Sequence, residues 1–149
     1  ILESKGKFVV VDTAPTGHTL LLLDTMGSFH RELFRQLPPG TRAVTPMMRL
    51  QDPKQTKMLI VTLPETTPVL EAEGLEADLR RAGIEPWGWV INSSLAAARP
   101  YDPLLAARAA EERPQIERVR RSVGRLAIIP WLVQEPVGRD RLRALTTGV

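Results

Sequence analysis

The chain has 149 residues and a net formal charge of +3, from 20 Lys and Arg against 17 Asp and Glu; 43% of it is hydrophobic and 25% charged. That is the composition of an ordinary globular chain, long enough to bury one core. With no cysteine it can hold neither disulfides nor thiolate metal sites, and no apolar run reaches the roughly 18 residues of a membrane-spanning helix.

Residues 1–7 carry charges and no small-residue cleavage site, so no signal peptide is expected there. The first residue is Ile1 rather than Met, which leads to the expectation of one partial domain, residues 1–149, cut from a longer protein. Phe8, Val9, Val10 and Val11 form a continuous apolar run of the kind found in buried parallel strands. The run stops at Asp12. A loop containing Pro15 and Gly17 follows, then a helical stretch over about residues 18–37, weakened or broken at Gly27.

Residues 38–53 are Pro-rich and aperiodic, the pattern of a surface connection with a short helix near residues 47–50. A second strand is predicted over residues 58–61. Thr67 and Pro68 then fit an N-cap and a first helical residue, and Val69, Leu75, Leu79 and Ala82 share one face. Gly83 stands where that helix should end.

A third strand is predicted over residues 87–91, stopped by Asn92, with Trp87 and Trp89 read as core residues. Asp102 and Pro103 start another helix by the same cap logic, which Pro114 should kink or divide. Residues 126–129 form the fourth strand, followed by Pro130, and a last helix covers about residues 138–145. Strands that alternate with helices in this way define an α/β fold, a parallel sheet flanked by helices on both faces.

Ligands of such sheets bind outside the carboxyl ends of the strands. Here these are residues 12–19, 63–67, 92–95 and 130–138. Asp12-Thr13-Ala14-Pro15-Thr16-Gly17-His18-Thr19 is the most informative stretch. A carboxylate at a strand end can reach Mg²⁺ or its water, Gly17 permits close backbone approach to a phosphate, and the next helix directs its N–H groups at the same space. The same residues also fit an ordinary strand-to-helix turn capped by Asp12. Asn92 offers a donor and an acceptor suited to a purine edge, or serves as a cap. Pro130 and Pro136 stiffen a loop that can wall off a flat base, or is simply a stiff loop.

The two histidines, His18 and His30, define no metal site by spacing. Basic residues are interspersed with acids, as on solvated helix faces, so no nucleic-acid partner is expected. No G-x-x-x-x-G-K-[ST] phosphate loop occurs in the 149 residues.

The octapeptide 12–19 resembles the signature of the arsenite-transporting (arsenical pump-driving) ATPases, shared with relatives that target tail-anchored membrane proteins. The similarity extends over essentially the whole chain. It includes Thr45-Pro-Met-Met48, Gln51-Asp-Pro53, Val61-Thr-Leu-Pro-Glu-Thr-Thr-Pro-Val-Leu-Glu71, Ala82-Gly-Ile84, Pro86-Trp-Gly-Trp89, Ile91-Asn92, Pro114-Gln-Ile-Glu117 and Glu135-Pro136. The chain is similar to the carboxyl-terminal part of the second half of the duplicated bacterial enzyme.

The resemblance implies a P-loop NTPase fold, of the deviant Walker A, SIMIBI-like class, without its amino-terminal P-loop portion. It implies ATP and Mg²⁺ as cofactors, both requiring residues upstream of Ile1, and arsenite or antimonite as an allosteric effector. Asp12 becomes the catalytic switch carboxylate, acting on Mg²⁺ through water. Thr13, Pro15, Thr16, His18 and Thr19 carry the signal, with His18 near the metalloid site. Gly17, Asn92 and Pro130 contact the nucleotide.

The implied partners are a membrane arsenite efflux protein and either an amino-terminal ATPase half or a second copy. The implied location is cytoplasmic, peripheral to the inner face of the membrane in the complex. The chain alone is expected to be inactive. The alternatives are a non-hydrolysing nucleotide-binding half and a targeting ATPase for tail-anchored proteins. The latter requires a Met-rich amphipathic helix, which Met26, Met47, Met48 and Met58 do not form.

Overall fold

The computed structural model of the chain describes residues 9–13, 27, 28, 32, 35, 36 and 44–146. The chain divides into two compact units, Ile1–Met47 and Met48–Val149.

Of the strand expected at residues 8–11, residues 9–11 are described and lie outside any strand. Val9, Val10 and Val11 are 54%, 77% and 62% exposed and carry no strand pairing. An apolar β-branched run sets the preference for extended backbone, but a strand exists only where a neighbour completes its ladder. Gly27, Ser28, Glu32, Arg35 and Gln36 are helical, as their place within residues 18–37 predicts. Ser28, Glu32 and Arg35 follow helical spacing along one exposed side, where Glu32 accepts from Gln36 Nε2 at 2.7 Å and pairs with Arg35 at 4.0 Å. Thr45 and Met47 are buried, so residues 38–53 are not wholly a surface connection.

A short helix, α1 (Pro46–Gln51), leads into the second unit. There β1 (Leu59–Thr62), α2 (Thr66–Arg81), β2 (Gly88–Ser94), α3 (Leu95–Ala98), α4 (Pro103–Ser122), β3 (Leu126–Pro130) and α5 (Arg139–Ala144) follow in chain order. The strands form a parallel sheet in the order β1-β2-β3, with Ile60 opposite Trp89 and Trp89 opposite Leu126.

Within the second unit this order fixes the face on which the two long helices lie. Each crossover steps in the same direction across the sheet, and right-handed crossovers of that kind put both helices on one face. Accordingly α2 packs on β1, α4 on β2, and the two helices touch each other. Arg118 grips Glu73 with two bonds of 2.7 Å, and Gln115 Nε2 donates to Thr66 Oγ1 at 3.1 Å. The core between helices and sheet is Val69, Ala72, Leu79, Ala109, Ile116 and Val119 against Ile60, Trp89 and Ile91. On the opposite face Leu59 and Val61 remain exposed among the described residues.

Local signals placed most of the element ends. Asp102 Oδ1 accepts from the N–H groups of Leu104 and Leu105, at 2.9 and 3.0 Å, with Pro103 as the first residue of α4. Gly83, at φ +74°, ends α2. Its N–H donates to the Arg80 carbonyl and that of Ile84 to the Leu79 carbonyl, each at 2.9 Å, the paired bonds of a left-handed helix stop.

Two boundaries differ from expectation. The cap of α2 is Glu65 rather than Thr67, and Pro68 falls within the first turn, where a missing N–H costs nothing. Helix α4 runs unbroken through Pro114, because Ala110 and Pro114 face solvent and water can satisfy the freed carbonyl. Trp89 is core at 2% exposure, but Trp87 lies just before β2, 42% exposed, under the Arg125 guanidinium at 5.0 Å.

Candidate functional site at the carboxyl end of the sheet

Strands β2 and β3 bring two of the predicted ligand residues to one end. Asn92 lies in the last turn-out of β2 and Pro130 closes β3, and Ser94 is the register partner of Pro130. The pairing is irregular between Ile91 and Ser94, and Ser93 takes a left-handed φ of 56°. A non-glycine residue in that region is strained by about 1–2 kcal/mol, so the surrounding bonds must hold it there. The Trp131 N–H donates to the Ser94 carbonyl at 2.9 Å, which ties the loop after β3 to the end of β2.

The cap of α3 resolves one of the two readings of Asn92. Ser94, not Asn92, is the N-cap: its Oγ accepts from the Ala97 N–H at 3.1 Å. The Asn92 side chain is half-buried and makes no hydrogen bond among the described residues. Strand alternation from Val90 puts it on the face of the sheet away from α2 and α4. Among the described residues nothing engages its amide donor and acceptor.

Sequence reading missed Glu112. This residue of α4 is buried at 7% exposure, and its carboxylate sits beneath the end of β2. Oε2 accepts from Ser94 Oγ at 2.9 Å and from the Ala96 N–H at 3.0 Å; Oε1 accepts from the Leu95 N–H at 3.1 Å. A signal existed: Glu112 falls in the apolar stripe of Leu105, Ala109, Ile116 and Val119, at the spacing of a buried helix face. A carboxylate in such a stripe requires polar partners inside the fold.

In the first unit Asp12 and Thr13 are exposed and lie outside any strand. Pro15, Thr16, Gly17, His18 and Thr19 lie outside the described residues. Among the described residues no group of three or more His, Cys, Asp and Glu could hold a metal ion. No helix of the described residues is long and apolar enough to cross a membrane.

The parallel sheet with its one-way helical crossovers is an α/β architecture of the P-loop NTPase-like kind. No protein-family model matches the chain. By sequence it is 58% identical over 97% of its length to an arsenical pump-driving ATPase of Escherichia coli, and 57% identical over the same share to one of Acidiphilium multivorum. A putative arsenical pump-driving ATPase of Halobacterium salinarum is 32% identical over 99% of the chain. The chain is thus similar to one segment of these arsenical pump-driving ATPases and spans about 25% of their length.

Proposed function

We propose that the chain is the switch and base-binding segment of an ATPase that hydrolyses ATP to drive export of arsenite or antimonite through a membrane partner. The observation that carries this reading is the 58% identity, over 97% of the chain, to a protein named for driving an arsenical pump. The geometry is in keeping with it. Asn92 presents an amide that no described residue engages at the carboxyl end of β2, beside Pro130 and Trp131, where an adenine edge would find a donor, an acceptor and a stiff wall.

In this reading Asp12 acts on Mg²⁺ through a water, at the end of the segment that leads into residues 13–19. Thr13, Pro15, Thr16 and Thr19 relay the state of the nucleotide, Gly17 lets the backbone approach phosphate, and His18 lies toward the metalloid site. The phosphate-cradling loop, which the 149 residues lack, is supplied from elsewhere in the intact protein. That protein works at the inner face of the membrane with an efflux protein, and pairs either with a second ATPase half or with a second copy.

Targeting of tail-anchored proteins fits less well. Met47 and Met48 sit on the six-residue α1, one buried and one exposed, and Met58 lies outside any helix. The test is Mg²⁺-dependent ATP hydrolysis by the intact purified protein, titrated with antimonite. Hydrolysis that rises with antimonite is the expected result. A protein that hydrolyses no ATP, or whose rate is indifferent to both arsenite and antimonite, is not a pump ATPase.

A further inference from the structure

Glu112 belongs to α4, yet each of its three hydrogen bonds goes to the junction of β2 and α3. That junction has several unusual features. Ser93 is held in a left-handed conformation, the ladder to β3 is irregular, and the four-residue α3 is too short to hold itself together. Ser94 is its hub. The Ser94 hydroxyl donates to Glu112 and accepts from the Ala97 N–H, while its carbonyl accepts from Trp131. Fixing Ser94 therefore fixes two things at once: the strand end two residues back, which carries Asn92, and the start of the loop after Pro130.

A cap for α3 alone would not require this arrangement. Ser94 already supplies one, and burying a carboxylate is costly unless every acceptor site is used. The bonds from Leu95, Ala96 and Ser94 offset that cost only in one arrangement of the junction, so the carboxylate selects that arrangement over others.

We infer that Glu112 is a positioning residue for nucleotide recognition: through Ser94 it sets the Asn92 amide against the Pro130–Trp131 wall and so determines which base the site accepts. This rests on the reading of Asn92 as a base-binding residue. Glu112 itself touches no ligand. Glu112→Gln keeps the size and one acceptor oxygen but replaces the other oxygen with a donor that faces N–H groups. The junction then loosens without leaving a cavity.

The experiment uses the intact ATPase and compares binding of ATP and GTP, together with kcat and KM, in the parent, Glu112→Gln, Asn92→Ala and the double variant. Ser94→Ala, which removes one donor to Glu112 and leaves the carbonyl bond to Trp131, is the second probe should Glu112→Gln fold poorly. Glu112→Gln should raise KM for ATP by roughly tenfold, with a smaller effect on kcat, and should narrow the preference for ATP over GTP. Ser94→Ala should shift the same quantities in the same direction. In the Asn92→Ala background Glu112→Gln should narrow the preference no further, because the group it positions is gone.

If Asn92→Ala changes the preference but Glu112→Gln and Ser94→Ala leave it at the parent value, Glu112 only braces the fold and the inference fails. It fails equally if Glu112→Gln narrows the preference as much with Asn92 absent as with it present. If Asn92→Ala itself leaves ATP and GTP binding unchanged, the base-binding reading is wrong and the inference falls with it.

Discussion

The side-chain amide of Gln51 closes on the end of α2 beside Gly83. Its Nε2 donates to the Ala82 carbonyl at 2.8 Å and lies 3.0 Å from where a Cβ on Gly83 would stand. Gly83→Ala therefore meets two penalties, a left-handed backbone and a displaced Gln51. It should destabilise the chain by about 1–2 kcal/mol, read as a lower urea midpoint. Gly74, within α2 and with nothing within 4 Å of its would-be Cβ, is the contrasting site. There Gly→Ala should stabilise by about 0.5–1 kcal/mol, and equal effects at the two glycines would rule out the conformational account.

Asp102 caps the amino end of α4 with its side chain, its Oδ1 shared by two N–H groups. Asp102→Ala should cost about 1 kcal/mol, and Asp102→Asn, which keeps the acceptor, should recover most of it. Paired denaturant titrations measure this. An asparagine variant as unstable as the alanine one would mean that the carboxylate acts by charge and not as a cap.

The Lys54 N–H, at 2.9 Å, and then the Gln55 side chain, at 2.8 Å, hold the Asp52 carboxyl below its ordinary pKa. A carboxyl lowered by folding adds stability above its unfolded-state pKa, and that stability is lost as pH falls through the lower, folded value. Asp52→Asn should therefore be less stable than the parent at neutral pH. The gap should close in acid, below the ordinary carboxylate range. Thermal midpoints of the two proteins from pH 7 down to acid check this, and a gap that is constant with pH would exclude the carboxylate's charge as its source.

Under the proposed role of Asp12, Asp12→Asn in the intact protein should lower kcat for ATP hydrolysis by roughly 100-fold or more while ATP affinity changes far less. A group that acts on the metal and its water serves mainly the transition state. Steady-state rates beside equilibrium ATP binding separate the two. Parallel losses of rate and affinity would make Asp12 a binding group rather than a switch.

The elements of the second unit were legible because their signals are local. An Asp before a Pro, a Gly after an apolar helix stripe and short apolar runs each act within a few residues of themselves, and α2, α4 and all three strands appear close to where those signals stand. Asn92 and Pro130 could be named as strand-end residues by the same logic. That they are neighbours is a product of the β2–β3 pairing. The stretch 12–19 was legible as sequence only; of its residues Asp12 and Thr13 alone are among those described, and neither lies in a strand.

What the sequence by itself determined is the α/β class and the caps and stops of the helices, since these depend on backbone preferences and near neighbours. Only the tertiary structure decided which faces those elements bury. Both long helices fall on one side because the strand order runs one way across the sheet. Trp87 stays outside while Trp89 goes in, because β2 begins at Gly88. Glu112 became a brace for the Asn92 turn because α4 returns across the sheet with its buried stripe beneath Ser94. The bonds of Glu112 join residues 16 to 18 positions apart, and no local preference encodes them; they follow from how the chain satisfies its buried polar groups once the sheet is assembled.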